Sequence, residues 1–203
     1  MFYWILKILL GPLVKLIWIK KVEGLENIPK NGPCIIAANH SSYFDFLSLV
    51  AVLPRRIYFL AGEVFFKKWW WSWLVRSTGQ IKVDRESKDK TEVKRSVLFI
   101  LNHGKVIGLF PEGTRSSDGK IGKTFTGVAD FALQAKVPVI PIGIIGAYEV
   151  MSRHDKKPKF IKNIEIRIGK ALYFDKYYGI ENNKEVLREI TDKIIKEIIK
   201  LKG

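Results

Sequence analysis

The chain has 203 residues, 47% of them hydrophobic, which is enough for one sizeable core and argues against a second ordinary domain. Its 35 Lys and Arg against 20 Asp and Glu give a formal net charge of +15, which favours an anionic partner. The single cysteine, Cys34, excludes an intrachain disulfide and is compatible with a reducing compartment.

Residues 1–20 read as a membrane-interface helix. Lys7, Gly11 and Lys15 recur on one helical stripe, and the rest of the circumference is apolar. The lysines interrupt any clean span of ~20 uncharged residues, so the helix is expected to lie deep in the interface with its lysines snorkelling. Tyr3, Trp4 and Trp18 flank it as interfacial aromatics do. Pro12 is a candidate kink, and no small-residue cleavage site follows that would mark a removed signal. A buried core helix is the competing reading.

Residues 21–203 read as one domain. Apolar β-like runs at 22–24, 34–38, 57–61, 106–110, 137–143 and 164–169 alternate with helical patterns. This alternation predicts an α/β fold with a mixed, largely parallel central sheet flanked by helices, and with sites at strand ends. The run 34–38 leads into Asn39-His40-Ser41-Ser42-Tyr43-Phe44-Asp45 and then the apolar stretch Phe46 to Leu53. His40 is therefore expected in a strand-to-helix loop and Asp45 in the first helical turn.

A histidine and a carboxylate so placed suit general base catalysis, because the carboxylate selects the tautomer and stabilises the imidazolium. No Gly-x-Ser-x-Gly elbow accompanies them, so the nucleophile is expected to be the substrate's own hydroxyl or amine. The competing reading makes His40 a loop residue and Asp45 a helix-start carboxylate. Of the other histidines, His103 reads as a helix C-cap and His154 lies in a charged loop.

Between residues 64 and 76 the chain places Trp69, Trp70, Trp71 and Trp73 among basic residues. Adjacent tryptophans on a helix cannot all face a core, so at least one is expected at a lipid surface. Arg85 to Asp89 reads as a charged connection and 90–102 as an amphipathic helix. The run Val106 to Phe110 enters Pro111-Glu112-Gly113-Thr114-Arg115-Ser116, where proline and glycine force a turn that presents Glu112 and Arg115 from a loop. The guanidinium fork and close-approaching amides suit a phosphate; a solvated turn with a local Glu112 to Arg115 pair is the alternative. The stretch 153–162 reads as a basic exposed loop, and a final amphipathic helix begins near Asn182. Metal, P-loop and dinucleotide signatures are lacking, so neither a metal nor another cofactor is expected. No nucleic-acid-binding motif is evident either.

Four blocks together carry a resemblance. Asn39-His40 with Asp45, Gly79-Gln80-Ile81-Lys82-Val83-Asp84-Arg85, Phe110 to Ser116, and Val137-Pro138-Val139-Ile140-Pro141 occur in the order and with spacing like those of the 1-acyl-sn-glycerol-3-phosphate acyltransferase family. The resemblance spans residues 39–141. It implies that His40, oriented by Asp45, removes the proton from the sn-2 hydroxyl of lysophosphatidic acid as that oxygen attacks an acyl thioester. It further implies acceptor binding by Glu112, Gly113, Thr114 and Arg115, with Arg115 on the phosphate and Arg85 as another contact. Val137 to Pro141 is expected to be scaffold. Many relatives carry a basic residue before the glycine after the third block. Here the match is Phe125-Thr126-Gly127, with Lys123 two positions earlier.

The expected partners are lysophosphatidic acid, acyl carrier protein or acyl-CoA as donor, and an anionic membrane surface on the cytoplasmic face. No nucleic-acid partner is expected. Alternatives are acylation of glycerol-3-phosphate or another lysophospholipid, or a noncatalytic membrane- or nucleic-acid-binding module.

Overall fold

A computed structural model describes residues 2–67, 69–83, 89–180 and 183–203. The strands are β1 (Ile19–Glu23), β2 (Cys34–Ala38), β3 (Ile57–Gly62), β4 (Ile81–Val83), β5 (Val106–Leu109), β6 (Val139–Ile145) and β7 (Ile164–Ile168). The helices are α1 (Phe2–Ile17), α2 (Tyr43–Val52), α3 (Val64–Lys67), α4 (Trp69–Ser77), α5 (Thr91–Asn102), α6 (Gly127–Ala135), α7 (Ala147–Val150) and α8 (Lys184–Lys202). One seven-stranded sheet has the order β1-β7-β6-β2-β5-β3-β4. Every neighbouring pair is parallel except β6 with β7. The fold is thus a mixed, largely parallel α/β sheet with helices on both faces.

The two faces follow from side-chain alternation along buried strands. On β2, Cys34, Ile36 and Ala38 join one core with Leu49 and Val52 of α2, Ile140 and Ile142 of β6, and Ile164 and Ile166 of β7. Ile35 and Ala37 point the other way, into a second core with Val97 of α5, Leu133 of α6 and Ile194 and Ile198 of α8. Burying each such side chain contributes about 1.5–3 kcal/mol, and β2 is buried at all five positions. Its unbroken apolar run is the mark of a strand covered on both sides.

Pro141 lies inside β6 although that strand is paired on both sides. Its carbonyl accepts from Gly169 N–H at 2.9 Å, just past the end of β7. The missing proline donor therefore faces the place where the neighbouring ladder stops. Residues 139–141 begin β6, which lies inside the sheet between β7 and β2. At the end of α5, His103 occupies the C-cap position.

The stripe on α1 faces the opposite way from the sequence expectation. Tyr3 and Gly11 are buried, and a Cβ on Gly11 would sit 3.8 Å from the Ala51 backbone, so α1 docks closely on α2 along this stripe. Lys7 does not snorkel outward; its ammonium donates to the Leu53 carbonyl at the end of α2. Burial, together with the charge of Lys15, pushes the Lys7 ammonium down to about 8. The apolar face is left bare instead: Ile8 is 69% exposed, Leu16 68% and Leu9 63%. A 16-residue helix offers more apolar circumference than one partner can cover, and glycine decides which side approaches.

Trp4 and Trp73 are exposed, and Trp73 meets Phe2 edge-on at 4.6 Å between centroids. Trp18 stands directly after α1. It is half-buried against Phe44 at 4.8 Å, and its indole N–H donates to Lys159 O at 2.9 Å. The expectations for Arg85 and for the side chains of Trp69, Trp70 and Trp71 fall outside the described residues. No described helix is long and apolar enough to cross a membrane.

Candidate active site

The parallel strands β2, β5 and β6 end at one edge of the sheet, and the loops leaving β2 and β5 carry the polar residues singled out above. Asn39, 3% exposed, extends the β2–β6 pairing with its side chain: its amide donates to Ile144 O at 2.9 Å, and its carbonyl accepts from Ile144 N at 2.7 Å. The next residue leaves the sheet from this anchored point. Ser42 is the N-cap of α2, accepting from Phe44 N–H at 3.0 Å, while Asp45 at N3 closes the capping box.

Asp45 has no exposed surface, and its Oδ2 is the hub of the loop. It accepts from Ser41 N–H at 2.6 Å, from Ser42 N–H at 2.7 Å, and from His40 Nδ1 at 2.8 Å. Because this oxygen is an acceptor in the two backbone contacts, the shared proton is assigned to Nδ1, which leaves the Nε2 lone pair available. The helix-cap reading and the catalytic reading of Asp45 hold together: the cap that starts α2 also aims the imidazole. His40 retains 14% side-chain exposure. Its ring stacks on Phe110 at 4.0 Å, which stacks on Phe59 at 5.9 Å, so one face of the imidazole is packed and dry.

The loop after β5 grips the backbone of the same histidine. Glu112 is 5% exposed; its Oε1 accepts from His40 N–H at 2.7 Å and its Oε2 from Gly122 N–H at 3.4 Å. Ser116 N–H donates back to His40 O at 2.8 Å. Both peptide groups of His40 are therefore held by a segment about seventy residues further on. Burial pushes the Glu112 carboxyl above its ordinary range, partly offset by the two backbone donors. Gly113 makes the turn possible: φ is +66°, and its N–H donates to Phe110 O at 2.9 Å.

Arg115 lies over the Tyr43 ring, 3.6 Å from its centroid, at the start of α2. The same loop is braced from outside by Tyr148 OH on Ser117 O at 2.8 Å and Lys202 on Gly119 O at 2.6 Å. Arg188 adds bonds to Thr124 O and Oγ1, each 3.0 Å. Lys123 stands 6.0 Å from the Phe125 ring.

His40, Glu112, Gly113, Thr114 and Arg115 thus sit on two adjoining loops, with Asp45 in the first turn of α2 beside them. Sequence reasoning missed the anchoring role of Asn39, the Phe110–Phe59 stack, and Tyr43 beneath Arg115. An amide side chain directly after a buried apolar run and before a candidate base is the available signal for the first. Ser42 is no nucleophile, because its hydroxyl accepts from Phe44 N–H and donates to Met151 O at 2.6 Å. The site offers a base with a free nitrogen, a carboxylate that stabilises its protonated form, and an arginine close by. Such an arrangement can activate a hydroxyl on an anionic substrate.

Comparisons with known proteins point to one family. Residues 20–145 match the family model described as Acyltransferase. A 1-acyl-sn-glycerol-3-phosphate acyltransferase of Bacillus subtilis is 31% identical over 127 residues, covering 62% of this chain and 62% of the relative. A chloroplastic enzyme of that name from Brassica napus, BAT2, is 27% identical over 157 residues, covering 76% of this chain and 45% of its own length. The chain spans about half to three fifths of the length of such curated relatives. The crystal structure of the 1-acyl-sn-glycerophosphate (LPA) acyltransferase PlsC from Thermotoga maritima superposes with a TM-score of 0.74 at 27% identity, covering 92% of this chain and 73% of that one. With the family model extending over more than half of its residues, across both site loops, this chain belongs to the acyltransferase family.

Proposed function

We propose that this chain transfers an acyl group from an acyl thioester to the sn-2 hydroxyl of lysophosphatidic acid, making phosphatidic acid. The observation that carries the reading is the His40–Asp45 contact of 2.8 Å, with Nε2 left free beside the Arg115 loop. Nε2 takes the hydroxyl proton as the oxygen attacks the thioester carbonyl. The carbon–sulfur bond then breaks, and the imidazolium returns the proton to the departing thiolate. Asp45 supports the transient imidazolium, and Arg115, with the Thr114 amide, is assigned the acceptor phosphate, while Gly113 makes the turn that presents them.

Glu112 receives a different role from the one that the family resemblance implies. Its carboxylate oxygens face the His40 and Gly122 amides, which supports a positioning residue that fixes the base and does not touch the acceptor. The bare apolar face of α1 and the +15 charge support docking on an anionic membrane surface, on the cytoplasmic side where acyl thioesters are made. The acceptor then arrives from the bilayer. The donor is acyl carrier protein or acyl-CoA, both anionic.

The test is acyl transfer by the full chain on vesicles, offering lysophosphatidic acid, glycerol-3-phosphate and neutral lysophospholipids with each donor. Product from lysophosphatidic acid alone, lost in His40→Ala while vesicle binding persists, is the expected result. Product from another acceptor would move the substrate but keep the mechanism, and wild-type turnover by His40→Ala would refute the base assignment.

A further inference from the structure

A second cationic site lies along the seam between α1 and α2, which runs from Lys7 at the Leu53 end of α2 toward Trp18 at its Phe44 end. Between α1 and α2 runs a groove of about 300 Å³, bordered by Trp4, Lys7, Gly11, Pro12, Lys15 and Ala51. The absence of a side chain on Gly11 opens the notch, and Lys7 and Lys15 stand one turn to either side of it, about 12 Å apart along the helix axis. Both bring positive charge to the same concave strip, and the charge of Lys15 disfavours that of Lys7. Neither has a carboxylate partner among the described residues. Lys7 spends one of its three donors on Leu53 O, which leaves two for a ligand. One rim of the groove continues into the exposed apolar face through Trp4 and Ile8, so a group seated here has hydrocarbon-compatible surface beside it.

We infer that this groove binds the headgroup phosphate of an anionic phospholipid, held between Lys7 and Lys15 while its acyl chains follow the bare face of α1. An anion there relieves the repulsion between the two lysines and replaces the hydration that Lys7 has lost. The apolar rim argues for a lipid-borne phosphate over the free ion. On α2 the groove touches Ala51, six residues beyond Asp45 and about 9 Å along the helix from it. A lipid held along this seam sets the depth at which Asp45 and the His40 loop meet the bilayer. The inference rests on the membrane-docking reading above.

Flotation of the full chain with vesicles of phosphatidylcholine, with and without added phosphatidylglycerol or phosphatidic acid, tests it. Lys7→Gln/Lys15→Gln is compared with Lys196→Gln/Lys200→Gln on α8, which removes the same charge elsewhere on the exposed surface. The groove variant is expected to lose about 10- to 30-fold in affinity for anionic vesicles, and the control less than about 3-fold. Equal losses would reduce the effect to overall charge and overturn the site, as would no loss in the groove variant. Lys15→Glu alone, at an exposed position, keeps the test valid if the Lys7 change disturbs folding, and is expected to lose at least as much. Displacement of the wild type by millimolar inorganic phosphate at constant ionic strength would overturn the lipid assignment. Failure of the wild type to bind any vesicle would overturn the membrane reading itself, a result distinct from binding without anionic preference.

Discussion

Replacing Glu112 separates a residue that positions the base from one that binds the acceptor. Glu112→Ala removes the carboxylate that accepts from His40 N–H at 2.7 Å. A charge-assisted bond of this kind contributes about 1.5–3 kcal/mol, and the orphaned amide is itself costly to leave buried. If that free energy is lost from the arrangement of the base in the transition state, kcat falls by about 10- to 100-fold. Glu112→Gln keeps a neutral oxygen in the same place and is expected to cost about 5-fold or less. In both variants KM for lysophosphatidic acid is expected to stay within about 2-fold, because no acceptor contact is removed.

The pH dependence of stability has a definite sign. Burial raises the folded-state carboxyl above its unfolded value, so the folded chain holds the proton longer. The penalty for burying the charge is absent below the unfolded pKa, grows as pH rises through the window between the two values, and is complete above the folded one. Glutamine never ionises and escapes the penalty, so the Tm of Glu112→Gln relative to wild type is expected to rise with pH across that window. Steady-state transfer on vesicles with varied acceptor, together with thermal unfolding at several pH values, checks both statements. A glutamine variant as damaged as alanine, or a loss carried by KM for lysophosphatidic acid, would show that Glu112 contacts the acceptor and would refute the positioning role.

Four further outcomes are expected. Asp45→Asn keeps an acceptor for the loop amides but not the charge that supports the imidazolium, so kcat should fall by about 10²- to 10⁴-fold, read in the same assay with vesicle binding unchanged. Gly108→Ala places a Cβ 2.3 Å from the Phe59 ring, which stacks on the Phe110 that packs His40; overpacking should lower stability by about 1–3 kcal/mol, measured by denaturant unfolding, and reduce kcat as the stack shifts. Arg115→Lys loses the planar fork and its fit over Tyr43, so KM for lysophosphatidic acid should rise by about 10-fold while a neutral acceptor is less affected. Ile8→Asp and Leu16→Asp, on the bare face of α1, should each weaken flotation with vesicles and leave the unfolding midpoint in detergent-free buffer nearly unchanged.

Much of the architecture was readable because burial leaves a periodic trace. The strands β2, β5 and β6 are covered on both faces and therefore appear as short unbroken apolar runs between turn residues. The pairing of His40 with Asp45 was readable for a different reason: the two are five residues apart across a helix start, and the geometry of a capping box places N3 beside the loop before it. β4, three residues long and at the sheet margin, was too short for any pattern to declare it.

Contacts between distant segments left no such trace. Glu112 and His40 are 72 residues apart, and Asn39 and Ile144 are 105 apart; nothing local distinguishes a glutamate aimed at a peptide N–H from one aimed at solvent or at a substrate. The composition of α1 declared an apolar helix with a lysine stripe, yet which side meets the protein depended on the close approach of Gly11 to Ala51 and on a carbonyl at the end of α2 waiting for an ammonium. Periodicity is written by the average environment of a face, and a chain can read it locally. Orientation and partnership are differences in free energy between docked arrangements, and those exist only once the other segments are in place.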